Sequence, residues 1–118
     1  MFKTDLILKA SDPGKWEVSA PLIWVDKERS IIVPSGFVTD LASIPKIVRP
    51  FIDRNGKTRR PAIIHDYLYQ TAIHSRIKRK DADLIFLSAM KSEGIGLMRY
   101  AIYQAVRSFG WMFFSGKS

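Results

Sequence analysis

Two adjacent side chains, His65 and Asp66, are the residues best suited to chemistry: an imidazole that exchanges a proton near neutral pH and a carboxylate that can bind a cation. On a helix Tyr69 is four residues from His65 and three from Asp66, so it can adjoin both and make one local unit. Ile63, Ile64, Tyr67 and Leu68 surround the unit with apolar surface. The polar pair is therefore expected to be partly buried and to need partners. Two roles fit such a pair: a structural brace with satisfied hydrogen bonds, or a base whose imidazole is held in one orientation.

Asp83 and Asp40 are its expected companions. Asp83 sits near the start of the next helical stretch beside Ala82 and Phe86, on or next to a core face. If the two helices pack antiparallel, its carboxylate reaches His65, fixes the tautomer and directs the other ring nitrogen to a proton of water. Its plainer role is that of an acidic residue favoured by the helix dipole. Asp40 lies in Gly36-Phe37-Val38-Thr39-Asp40-Leu41-Ala42-Ser43-Ile44-Pro45, where it could cap a short helix at Ser43 to Pro45. Alternatively, Asp40, the Leu41 carbonyl and Asp66 could together hold a hard divalent cation. The chain has no cysteine, which excludes disulfides and thiolate ligands and favours an oxygen-bound ion such as Ca²⁺ over structural zinc. His74, in a polar stretch after the first helix, is expected to be a solvent-exposed loop residue outside the site.

These side chains need a scaffold, and the sequence indicates an α+β one: a small N-terminal antiparallel β-sheet followed by a C-terminal three-helix portion. Over residues 1–40, Leu6-Ile7-Leu8, Trp16-Glu17-Val18, Leu22-Ile23-Trp24-Val25 and Ile31-Ile32-Val33 read as strands. Asp26 to Arg29 is a hairpin tip, Asp12-Pro13-Gly14 a turn, and Trp16 and Trp24 packing residues. Pro45 and Pro50 limit any helix between them to a short one, and Asp53 to Lys57, with its Asn-Gly step, reads as an exposed loop. Residues 61–115 read as helical. Pro61 is suited to the first turn, Ala82, Ile85, Phe86, Ala89 and Met90 repeat at helical spacing, and Gly94 and Gly96 precede a third helix from about Leu97. At 118 residues the chain is expected to be a single domain, 1–118.

Nineteen Lys and Arg against eleven Asp and Glu give a net charge of +8, which points to an anionic partner. Much of the excess lies in Lys57 to Arg60 and Arg76 to Lys80, runs that flank His65-Asp66 and also read as solvated surface. A phospholipid surface, or a host or phage protein, fits better than nucleic acid, because no nucleic-acid reading motif accompanies the charge. A homo-oligomer is also compatible with the sequence. Met1 to Asp5 is not followed by a secretory pattern, so host cytoplasm or the virion is the expected location. Arg99 and Arg107 interrupt the apolar stretch Leu97 to Phe114, against a membrane-spanning segment. No phosphate loop, nucleophile elbow or zincin motif is present.

The segments Val33 to Pro45, His65 to Tyr69, Ala82 to Phe86 and Ala105 to Trp111 resemble the phage and prophage family called domain of unknown function 1353. That resemblance implies a viral origin and carries no activity with it. The order Asp40, Ser43, Pro45, Pro61-Ala62, His65-Asp66, Tyr69, Asp83 also resembles, in part, the prokaryotic and fungal type of phospholipase A2. The second resemblance implies His65 as the base, Asp83 as its orienting carboxylate, and Asp66, Asp40 and the Leu41 carbonyl as calcium ligands. The chain departs from that family in lacking its cysteines and its glycine-containing calcium loop, and in its strand-rich first forty residues.

A metal-dependent hydrolase acting on an ester or related bond in lipid or cell-envelope material is the expected activity. On the same resemblance, Phe109 to Phe114 would meet an acyl-chain interface; closing a core or a subunit contact is their other role. The alternative function is a non-enzymatic phage structural or assembly factor, or an inhibitor of a host protein, in which the polar cluster only braces the helices.

Overall fold

The computed structural model describes residues 1–41, 44–46, 50 and 56–116. The expected cap at Ser43 and the loop residues Asp53 to Asn55 lie outside them. The fold is α+β, with strands first and helices after.

Strands β1 (Leu8–Ala10), β2 (Trp16–Val18) and β5 (Val38–Thr39) form one antiparallel sheet in the order β1-β2-β5, and β3 (Leu22–Val25) pairs with β4 (Ser30–Val33) in a second. A single sheet was the expectation; two form. Between β2 and β3 lies Pro21, which has no N–H to give a ladder, and Thr4 bridges the break by donating to the Pro21 carbonyl and accepting from Ile23 N–H. Residues 1–3 then pair along β3, through Lys3 N–H on Ile23 O and Val25 N–H on Met1 O. This consumes the amino terminus and moves β1 from the expected Leu6–Leu8 to Leu8–Ala10.

Alternation orients the hairpin. Leu22, Trp24, Ile31 and Val33 are buried on one face, while Ile32 points outward. Asp26 closes the tip by accepting the Glu28 and Arg29 N–H groups, both at 2.8 Å. Trp24 is buried as expected, whereas Trp16 is half exposed on the short sheet, not a packing residue.

Helix α1 (Arg59–Ser75) begins two residues before Pro61, after a 3₁₀ turn at Gly56–Thr58. Pro61 is tolerated because the first-turn N–H groups have no intrahelical acceptor. Every residue from Pro61 to Asp66 is buried, which makes α1 the central element. Helix α2 (Arg79–Ser92) packs on α1, and α3 (Met98–Phe109) packs on α2. Arg60 at the start of α1 forks onto both Glu93 oxygens just after α2, at 2.8 and 3.0 Å, and donates to Thr4 O. That contact sets α1 and α2 antiparallel. Gly94, at φ +83°, ends α2.

One apolar cluster joins the hairpin to Ile63, Ile64, Leu68 and Ala72 of α1 and to Ile85 and Ala89 of α2. A second joins Ala62 to Phe86, Met90, Ile102 and Val106. His65 and Asp83 lie among these apolar residues, both with no exposed surface.

Candidate functional site

The buried face of α2 that carries Ala82, Phe86 and Met90 also carries Asp83, so this carboxylate is turned into the core. A buried carboxylate needs donors, and the neighbouring helices provide them. His65 Nε2 and Tyr69 Oη, one turn apart on α1, meet Oδ1 at 2.7 and 2.6 Å. Arg107 Nη1, from α3, donates to Oδ2 at 2.8 Å, and Arg79 Nη1, one turn before Asp83, stands 3.4 Å from the same oxygen. The expected antiparallel packing and the expected His65–Asp83 pairing are both found, and Tyr69 joins them.

Burial alone would raise the Asp83 pKa; the hydrogen bonds and charge of His65, with the bonds from Tyr69 and Arg107, outweigh it and hold the carboxyl below the ordinary range. Asp83 is therefore ionised and accepts from all four. Nε2 of His65 then carries a proton, and in the neutral ring the lone pair is on Nδ1. The Tyr69 hydroxyl is pushed the other way, above its usual value, by burial and then by the bond to Asp83 and its charge. It is a fixed donor.

Packing holds these groups still. The His65 ring lies between Tyr69, at a centroid distance of 4.1 Å, and Phe86, at 4.6 Å. Tyr69 Oη sits against the backbone of Gly110, where an added Cβ would stand 2.6 Å from it. Arg79 also donates to Val106 O and Arg107 O at 3.1 to 3.2 Å, so the last turn of α3 is capped by the same guanidinium that faces Asp83.

Asp66 turns toward the strands instead. It is 1% exposed, and its Oδ2 accepts the Thr39 hydroxyl and, at 2.6 Å, Gln70 Nε2. Thr39 Oγ1 in turn accepts the Leu41 N–H at 2.9 Å, with Leu41 in the left-handed region at φ 60°. The loop bearing Asp40 and Leu41 is thus tied to Asp66 through Thr39. Asp40 itself is exposed. Among the described residues there is no group of three or more His, Asp or Glu arranged to hold a metal; Asp66 faces Thr39 and Gln70, while Asp40 lies on the surface.

Two corrections follow. The local unit of His65, Asp66 and Tyr69 divides, because consecutive helical positions point about 100° apart: Tyr69 serves Asp83, and Gln70, not Tyr69, serves Asp66. The run Arg76 to Lys80 is not all solvated surface, since Ile77 and Arg79 are buried. Sequence reasoning missed Thr39, Gln70, Arg79 and Arg107. Gln70 and Arg79 had a signal in their four-residue spacing from Asp66 and Asp83; Arg107 and Thr39 are brought in only by the tertiary fold. His74 is exposed, as expected, but it lies in the last turn of α1 and not in a loop after it.

No curated protein and no solved structure matches this chain. A family model described as a protein of unknown function, DUF1353, matches residues 16–106, a span that runs from β2 into α3 and includes Thr39, His65, Asp66, Tyr69, Arg79 and Asp83. The chain belongs to the DUF1353 family.

Proposed function

We propose that the protein is a phage-encoded, metal-dependent hydrolase that cleaves an ester or related bond in a lipid or cell-envelope substrate, with His65 as its base. The observation that carries the reading is the His65 Nε2–Asp83 Oδ1 contact of 2.7 Å, on an oxygen also held by Tyr69. A carboxylate on one imidazole nitrogen fixes the tautomer and stabilises the imidazolium that proton uptake creates. His65 would take a proton from water as the water oxygen attacks the carbonyl carbon. The bond to the leaving oxygen then breaks, and His65 returns the proton to it. Asp83 and Tyr69 are positioning residues, and the bonds from His65, Tyr69 and Arg107 hold Asp83 ionised.

Asp66, Asp40 and the Leu41 carbonyl would hold the cation, of which Ca²⁺ fits an oxygen-only set. When bound, it supplies polarisation of the ester carbonyl. The tie from Asp66 through Thr39 to Leu41 supports this assignment.

A second reading, a non-enzymatic assembly factor or host-protein inhibitor, is favoured by a different observation. His65 and Asp83 are fully buried and Asp83 gathers donors from all three helices, which is what a brace requires. Calcium separates the two. A hydrolase hydrolyses phospholipid in Ca²⁺ and stops in chelator, and Ca²⁺ at a hundredfold excess over its Kd stabilises it by about 2.7 kcal/mol, an increment that Asp66→Asn removes. A brace shows neither turnover nor a calcium-dependent shift in Tm.

A further inference from the structure

At the carboxy-terminal end of α3 four large apolar side chains stand in solvent: Phe109, Trp111, Met112 and Phe113 are 53, 62, 57 and 45% exposed. Scattered apolar residues on a surface are ordinary, but a concentration of them marks a contact surface. The 3₁₀ turn Gly110–Phe113 builds this one, with Gly110 buried against Tyr69 and the next three side chains outside. Beyond the turn, Phe114 packs edge-on to Tyr69 at 5.1 Å and Ser115 bonds to Tyr69 O and Ile73 N–H. The turn is thus a tip fixed on both sides. Ile73, itself 62% exposed, borders it on α1.

A cationic fringe lies beside the tip. The bonds of Arg79 to Val106 O and Arg107 O bring the start of α2, with exposed Lys78 and Lys80, to the end of the molecule where α3 finishes. His74 and Arg76, also exposed, follow Ile73 at the end of α1.

We propose that this face docks on the surface of an anionic phospholipid membrane, with Trp111, Met112 and Phe113 at the boundary of headgroups and acyl chains and Arg76, Lys78 and Lys80 against lipid phosphates. Charge selects this occupant. In a dimer through the face, the basic fringes of two copies would oppose each other, whereas an anionic bilayer complements both the fringe and the net charge of +8. Projecting aromatic side chains suit a membrane–water interface. No helix among the described residues is long and apolar enough to cross a membrane. The inference rests on this surface alone and is independent of the hydrolytic reading.

Co-sedimentation with vesicles tests it by binding, without turnover. The full chain is expected to pellet with vesicles of equimolar phosphatidylcholine and phosphatidylglycerol and far less with phosphatidylcholine alone. The double variant Trp111→Ser/Phe113→Ser, shown folded by circular dichroism, should lose most of that binding, and Lys78→Gln and Lys80→Gln should each weaken it roughly fivefold. In a Trp16→Phe background, Trp111 emission should shift to the blue on binding, since Trp24 is already buried. Failure to bind the anionic vesicles would overturn the proposal, as would unchanged binding by the double variant. So would a solution dimer that the double variant converts to monomer, which would assign the face to a second copy.

Discussion

Asp83 concentrates more of the molecule's electrostatics than any other side chain described here. Replacing it by Ala leaves the Arg79 guanidinium buried without its carboxylate, a change that costs about 3–5 kcal/mol; urea unfolding of Asp83→Ala checks this. The pH dependence follows from its lowered pKa. Stability from Asp83 is fully present above the unfolded value of about 3.9 and is lost as pH falls through the lower folded value, so acid melts should show a loss that is smaller in Asp83→Asn. Tyr69 works in the opposite direction. Its pKa is raised on folding, so its contribution holds below about 10 and is lost as pH rises from there toward the folded value. At this scale His65, Tyr69 and Asp83 were legible, because helical spacing and apolar neighbours put them on faces that must meet. Arg79 was hidden in a basic run, and only packing shows that it is the buried member.

Glycine positions test the elements. Gly94 ends α2 at φ +83°, and among the described residues an added Cβ would come near the distant end of Lys57, at 3.8 Å. Gly94→Ala should therefore cost about 1 kcal/mol from backbone strain alone, measurable as a lowered denaturation midpoint with unchanged slope. Gly110→Ala is different in kind. Its Cβ would meet Tyr69 Oη at 2.6 Å and Cε2 at 3.1 Å, against a ring already pinned by Asp83, so it should cost about 1–3 kcal/mol by overpacking. The starts of the first and third helices were legible within two residues, from Pro61 and from Gly94 and Gly96, but the first helix runs on to Ser75, well past Tyr69. The strands were legible in number up to Val33, but not in grouping: the division into two sheets depends on Thr4 bonding around Pro21, a contact between residues seventeen apart. β5 was not read as a strand, since two residues give no alternation to detect.

For the molecule as a whole, three helices close around one ionised carboxylate while the strands hold the loop that bears Asp40 and Leu41. The His65–Asp83 contact would serve the proposed base, and in a fully buried core a brace would require it equally. Those two roles part on turnover. The decisive measurement is the initial rate of phospholipid ester hydrolysis in Ca²⁺ by the unmodified chain and by His65→Gln, each shown to be folded. A hydrolase with His65 as base gives a rate above the uncatalysed blank that falls about 100-fold or more in the variant; no turnover by the unmodified chain, or the same rate in both, contradicts it.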